Sequence, residues 1–265
     1  MPTTPAPAPI SDAYAGAILT IDLDAIVANY RLLSGKLSGA SLSAVVKADG
    51  YGLGAEPVAA ALAGAGCRVF YVAHIEEGIR LRQALNDTGN SDFVQAEIHV
   101  LGGLLPNTED AYDASRLIPV LGSLDQIHNW KNYCQRLERP LPRDIHPDTG
   151  MARLGLPPVE VEKLVEEPSR LDDLNILTVI SHLACADEPD NPKNAEQLDA
   201  FRELRRHLPQ GLASFANSSG IFLGPDYHFD QARPGAALFG VAPVPGDPNP
   251  MAQVINLQGK VVQVR

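Results

Sequence analysis

Little in this chain of 265 residues offers redox, metal or membrane chemistry. There are three cysteines, Cys67, Cys134 and Cys185, far apart and outside any C-x-x-C spacing. An odd, scattered set builds neither a disulfide framework nor a metal site, and reads as reduced thiols of a cytoplasmic protein. No apolar stretch approaches the roughly 20 residues that span a bilayer. Positive charge is scarce: 21 Lys and Arg against 32 Asp and Glu leave a net charge of -11, with an isoelectric point near 5.0. That balance argues against nucleic acid and anionic membrane as partners. The amino end, MPTTPAPAPISDAYAG, has no basic segment and no apolar segment behind it, so it is not a secretory signal. Its Pro and Ala content reads as a disordered tail over 1–16. No G-x-G-x-x-G follows an early strand, and no unit of 20–50 residues repeats, which disfavours a dinucleotide fold and a solenoid.

What is present is an ordinary globular composition, 45% hydrophobic and 20% charged, long enough for one large core. Short apolar runs alternate with amphipathic segments. The spacing predicts strands over 18–23, 42–46, 68–72, 97–101, 117–121, 143–147, 176–181, 213–216 and 227–232. It predicts helices over 25–36, capped by Asp24, and over 55–65, 75–85, 124–137, 158–165 and 194–208. Eight strands after the first, most of them separated by helices, fit a parallel (β/α)8 TIM-type barrel better than an open sheet. In such a barrel the working residues sit at the carboxyl ends of the strands.

One segment says most about chemistry: Val45-Val46-Lys47-Ala48-Asp49-Gly50-Tyr51-Gly52-Leu53-Gly54. A lysine at the end of a buried strand is a costly place for a charge. It makes sense for an amine used as an imine-forming nucleophile whose pKa is lowered by its surroundings. Further along come His146-Pro147-Asp148-Thr149-Gly150-Met151-Ala152-Arg153-Leu154-Gly155, Ser181-His182-Leu183-Ala184-Cys185-Ala186-Asp187-Glu188, Asn217-Ser218-Ser219-Gly220 and Arg233-Pro234-Gly235-Ala236-Ala237-Leu238-Phe239-Gly240. Each follows a predicted strand. The small hydroxyl residues before Gly220 suit a phosphate cradle, and Pro234 has no N–H, so donors on that loop come from Gly235 and Ala236.

These motifs, in this order, resemble those of the alanine racemases, enzymes that use pyridoxal 5'-phosphate. The resemblance runs from about Ile18 to Arg265. It implies interconversion of L- and D-alanine, supplying D-alanine for peptidoglycan, by a cytoplasmic homodimer. It assigns Lys47 the covalent link to the cofactor and the base for D-alanine, and Arg153 the phenolic oxygen. His182 would lie against the ring and Arg233 would face its nitrogen. Tyr51, Asn217, Ser218, Gly235 and Ala236 would form the phosphate side, with no metal. A guanidinium keeps its proton at working pH, so Arg233 implies a neutral ring nitrogen and a weakened electron sink, which favours racemisation over transamination.

The sequence departs from the family pattern at His146, where a lysine is common, and at Phe239, where a tyrosine is usual. The resemblance implies a barrel over 17–243 and, over 244–265, a linker and the first strand of a carboxyl-terminal β domain. The family's second base, a tyrosine of that domain, has no counterpart here, so the chain alone is expected to racemise poorly. Two other readings remain open at this stage: a non-racemising pyridoxal-phosphate carrier, and a cofactor-free fragment.

Overall fold

The structure, a computed structural model, describes residues 13–172, 174–208 and 211–265. The chain opens with strand β1 (Ala17–Ile21) and helix α1 (Leu23–Gly35). Next come β2 (Ser41–Leu42), β3 (Ala44–Val45) and a tight turn, α2 (Lys47–Tyr51). Then α3 (Ala55–Gly64), β4 (Val69–Val72), α4 (Ile75–Asp87), α5 (Ser91–Val94), β5 (Glu97–Val100), α6 (Glu109–Ala114), β6 (Ile118–Leu121) and α7 (Leu124–Arg136) alternate. The series ends with β7 (Pro142–Ile145), α8 (Pro158–Glu166), β8 (Asn175–Ile180), α9 (Pro192–His207), β9 (Leu212–Ser214), β10 (Gln231–Ala232) and, apart from these, β11 (Ile255–Gly259).

The strands between β2 and β10 form one parallel sheet. β2 and β3 are two halves of one barrel strand broken at Ser43. The first half pairs with β10, Ser41 opposite Gln231, and the second with β4, Val45 opposite Tyr71. Ser43 bridges the break, giving both its N–H and its hydroxyl to Ala232 O, at 3.0 and 2.9 Å. This closes an eight-stranded (β/α)8 barrel, as the alternation of apolar runs and amphipathic segments predicts. β1 lies outside it, paired antiparallel with β11 from Ala17–Gly259 to Ile21–Ile255. The unit expected over 17–243 therefore begins with a strand that is not a barrel strand. Most of the tail expected over 1–16 lies outside the described residues.

Three local expectations are corrected. Helix α1 starts earlier than predicted, and Asp22 rather than Asp24 caps it, Asp22 Oδ1 accepting from Ala25 N at 2.9 Å. The strand predicted over 227–232 shrinks to Gln231–Ala232, because Pro225–Tyr227 turns as a 3₁₀ segment; proline has no N–H for a ladder. Short helices α5 and α6 were not predicted, since four and six residues are too few to show a helical period.

Inside, the helices pack on the outward residues of the strands, such as Val46, Ile98, Val100, Leu121 and Ile145. The lumen is less apolar. Val45, Tyr71, Val120 and Ile180 form a small cluster there. Around it lie the buried polar residues His99, Asp144, Ser214, Gln231 and Arg233. His99 stacks on Tyr71 with ring centroids 4.7 Å apart, and Tyr71 Oη donates to Gln231 Oε1 at 2.9 Å. His99 Nδ1 meets Asp144 Oδ2 at 2.6 Å, and its Nε2 meets Glu97 Oε2 at 3.3 Å. Burial presses the His99 pKa down, but the two carboxylates outweigh it and leave it raised to about 9. The barrel floor thus carries a protonated imidazole between two carboxylates.

Candidate active site

Lys47 follows β3 (Ala44–Val45) with only Val46 between them, which places it at the carboxyl rim of the barrel. The turn after it is left-handed: φ is +52° at Ala48, +53° at Asp49, +61° at Gly50 and +57° at Tyr51. Three of these four carry a β carbon, and such backbone costs an L-residue about 1–2 kcal/mol each. Specific contacts hold it. Ala48 N donates to Glu77 Oε1 at 2.7 Å, and Ala55 N donates to Asp49 Oδ1 at 2.9 Å. A β carbon at Gly50 would lie 3.1 Å from Ala55 N, so that position needs glycine for space as well as for φ. Burial lowers the Lys47 pKa, the Arg153 charge lowers it further, and Glu77 opposes both.

The loop after β7 folds around one side chain. Asp148 Oδ1 accepts from Gly150 N and Met151 N, each at 2.9 Å, and Oδ2 accepts from Ala152 N at 3.0 Å. This carries Arg153 to the cavity, where its guanidinium makes no protein hydrogen bond or ion pair among the described residues. His146, at the position where a lysine was expected from the resemblance, is buried and lines the same cavity. Burial, then the Arg233 charge, lowers its pKa to about 4, so it adds no positive charge there. Gln197, from α9, brackets this loop to the next. Its Nε2 donates to His182 O at 2.9 Å and to Thr149 Oγ1 at 3.2 Å, and its Oε1 accepts from Ala184 N at 2.9 Å.

His182 follows β8. Burial, with Arg233, Arg153, His146 and Lys47 around it, holds its pKa well below the usual value. A neutral imidazole there cannot serve as a proton-carrying acid near neutral pH. Arg233 is buried, donating to Ser214 Oγ and Ser181 O, each at 2.5 Å, with its guanidinium 5.9 Å above the Tyr71 ring. Two of its five N–H groups are thereby engaged, and the side chain also lines the cavity.

The loops after β9 and β10 form a single unit. Ser218 Oγ accepts from Gly235 N at 3.0 Å and from Ala237 N at 3.2 Å, on either side of Ala236. The tight contact is steric as well: a β carbon at Gly235 would lie 2.1 Å from Tyr51 Oη. Tyr51 also packs on Phe239, ring centroids 4.8 Å apart. Asn217 Oδ1 caps the turn by accepting from Gly220 N at 2.9 Å.

Lys47, Tyr51, Arg153, His182, Asn217, Ser218, Arg233, Gly235 and Ala236 line one cavity of about 870 Å³. They come from five different strand ends, those of β3, β7, β8, β9 and β10, and were all singled out in the sequence. Glu77, Gln197 and Ser214 were not. Each is a common polar residue on a helix or strand with no local motif, so only tertiary contact marks it. Among the described residues no cluster of side chains suits a metal ion, and no helix is long and apolar enough to cross a membrane.

Comparison with known proteins fits this geometry. The family model described as alanine racemase, N-terminal domain, matches residues 21–243. A catabolic alanine racemase from Mesorhizobium japonicum is 52% identical over 97% of this chain and 66% of its own length. An alanine racemase from Rhodospirillum rubrum is 50% identical over 95% of this chain, again over 66% of its own length. The chain thus spans about two thirds of the length of these curated relatives. Among solved structures, the alanine racemase of Bartonella henselae, with covalently bound pyridoxal phosphate, superposes with a TM-score of 0.88 at 41% identity, over 95% of this chain and 71% of that one. The Streptomyces coelicolor alanine racemase gives 0.84 at 33% identity, over 94% of this chain and 67% of that one. With most of its length matched by the family model and half of its residues shared with these relatives, this chain belongs to the alanine racemase family.

Proposed function

We propose that the cavity binds pyridoxal phosphate and acts on the α carbon of alanine. The observation that carries the reading is the convergence of nine residues from five strand ends on one space, with an amine at one side and a hydroxyl-and-amide cradle at the other. The residues present suit the group. Gly235 has no β carbon, which lets Tyr51 Oη close against this loop, and the Ser218 hydroxyl and the Ala236 N–H, which lies between the two amides that Ser218 Oγ accepts from, are donors suited to a phosphate. Tyr51, Asn217, Ser218, Gly235 and Ala236 would hold that phosphate, Arg233 the ring nitrogen, His182 a ring face, Arg153 the phenolic oxygen and Lys47 the covalent link.

When bound, pyridoxal phosphate makes the α C–H of an attached amino acid acidic by drawing its electron pair toward the ring. The chain supplies the rest. Lys47, its pKa lowered by burial and by Arg153, gives up its own proton more readily than an exposed lysine and takes or returns the α proton through Nζ. Arg233 donates without surrendering a proton, so the ring nitrogen beside it stays neutral. His182, half-buried and with its pKa held well below the usual value, lines the cavity as a neutral ring.

Lys47 is the one amine lining the cavity among the described residues. Its lining tyrosines are occupied: Tyr51 packs on Phe239 and against Gly235, and Tyr112 donates to Gly103 O at 2.5 Å. The reading therefore has this 265-residue chain exchanging the α proton on the Lys47 side, that of D-alanine, faster than it inverts the centre. General bases contribute about 10²–10⁴-fold, so deuterium uptake into D-alanine should exceed formation of L-alanine by at least ~100-fold. Equal rates would refute the one-base reading, and no uptake into either enantiomer would refute the function. Supply of D-alanine to peptidoglycan, a cytoplasmic site and a homodimer complete the reading. Three free cysteines suit a reducing compartment, and the exposed Leu19, Ile255 and Leu257 of the β1–β11 ribbon suit a face covered by protein.

A further inference from the structure

Glu77 touches the candidate site only through backbone, and no sequence motif marks it. Its carboxylate accepts three N–H groups: Ala48 at 2.7 Å on Oε1, and Ala73 at 2.6 Å and His74 at 3.2 Å on Oε2. Ala48 is the residue directly after Lys47 and the first of the left-handed turn. Ala73 and His74 follow β4, the strand beside β3. One side chain at the start of α4 thus fastens the lysine's turn to the neighbouring strand end. Three charge-assisted bonds are strong enough to offset much of the cost of that turn. No other hydrogen bond to Ala48 N is made among the described residues.

We infer that Glu77 is a positioning residue for Lys47: it holds the left-handed turn that aims the lysine and supplies the negative charge beside its amine. The inference deepens the proposed function and rests on it for its meaning, but its physical content belongs to the unliganded chain. The charged and titratable groups felt by the Lys47 amine are Glu77 from α4, Arg153 from the loop after β7 and His182 from the loop after β8. His182 is neutral and Arg153 is positive, so Glu77 is the one member of this set that favours the protonated amine. Glutamine at the position keeps a carbonyl for Ala48, loses the charge, and turns an N–H₂ group toward Ala73 and His74.

The test is competitive acetylation of the chain across a pH series without added cofactor, with peptide mapping of Lys47. Glu77→Gln should lower the Lys47 midpoint by roughly 1 pH unit, the lower end of the range for a nearby opposite charge. Lys131 and Lys163 in the same digests should not move. Glu77→Asp keeps the charge on a shorter arm. It should leave the midpoint within about 0.3 unit of wild type while hydrogen exchange in the 48–54 segment rises at least severalfold. It also serves if the glutamine variant does not fold. A purely structural role would raise exchange in both variants and leave the midpoint unmoved. That result, or wild-type exchange in Glu77→Asp, would overturn the inference. Covalent loading of wild-type protein with pyridoxal phosphate is scored separately, so failure of the proposed function shows there and not in the acetylation midpoint.

Discussion

A β carbon at Gly235 would sit 2.1 Å from Tyr51 Oη and 2.9 Å from Tyr51 Cζ. Gly235→Ala therefore has to swing the tyrosine out of the cradle. Tyr51 is 39% exposed and has room to leave, so the fold should survive while the phosphate side opens. We expect the affinity for pyridoxal phosphate to fall about tenfold or more, ~1.4 kcal/mol, with little change for pyridoxal, which has no phosphate. Parallel titrations with the two compounds check this, and equal loss for both would remove the cradle assignment. At this scale the sequence was most readable where chemistry needs a rare arrangement. Lys47 after two β-branched residues, Arg153 after Asp148-Thr149-Gly150-Met151, and Pro234 cancelling one possible donor all stood out in the linear order. Glu77 did not, because an acidic residue in a helix's first turn is ordinary, and its three amide partners are brought to it only by the fold. Gln197 was hidden for the same reason: its partners, Thr149, His182 and Ala184, lie on two loops that meet only in space.

Elements were legible in proportion to their length. Helices α4 and α7, thirteen residues each, show their period clearly. α7 begins where Ser123 Oγ accepts from Gln126 N at 3.2 Å, as a serine cap should. β10 is only two residues long, and its role in closing the barrel is set by Ser41 and Leu42 across from it rather than by its own pattern. The left-handed turn was not readable either, since Ala48 and Asp49 adopt positive φ only under tertiary restraint. The polar floor between β5 and β7 carries a stability consequence. His99 has a pKa raised to about 9, held up by Asp144 and Glu97 against burial. Its value in the unfolded chain is near 6.5. A raised folded pKa stabilises fully below the unfolded value and is lost as pH climbs through the folded one. Stability should therefore decline between about pH 6.5 and 9 by on the order of 2–3 kcal/mol. In His99→Gln that decline should be absent, with lower stability at pH 6. Urea unfolding at a series of pH values reads both slopes. A decline of equal size in the variant would show that His99 is not its source.

At the scale of the whole molecule, fold and site are one consequence of closure. Ser43 breaks the first barrel strand so that β2 reaches β10 while β3 reaches β4, and closure brings the β9 and β10 loops round to Tyr51 at the Lys47 turn. Alternating apolar runs were enough to foresee a (β/α)8 barrel. They were not enough to foresee that β1 would pair with β11 outside it, because an edge pairing between residues more than 200 positions apart leaves no local signal. The account stands or falls on Lys47 as the residue that bonds pyridoxal phosphate. The direct measurement is to load the protein with pyridoxal phosphate, reduce with borohydride and map the labelled peptide. We expect a single stable label on Lys47, near one per chain and abolished in Lys47→Ala. A label on Lys131, Lys163, Lys193 or Lys260 instead, or none above the Lys47→Ala background, would contradict it.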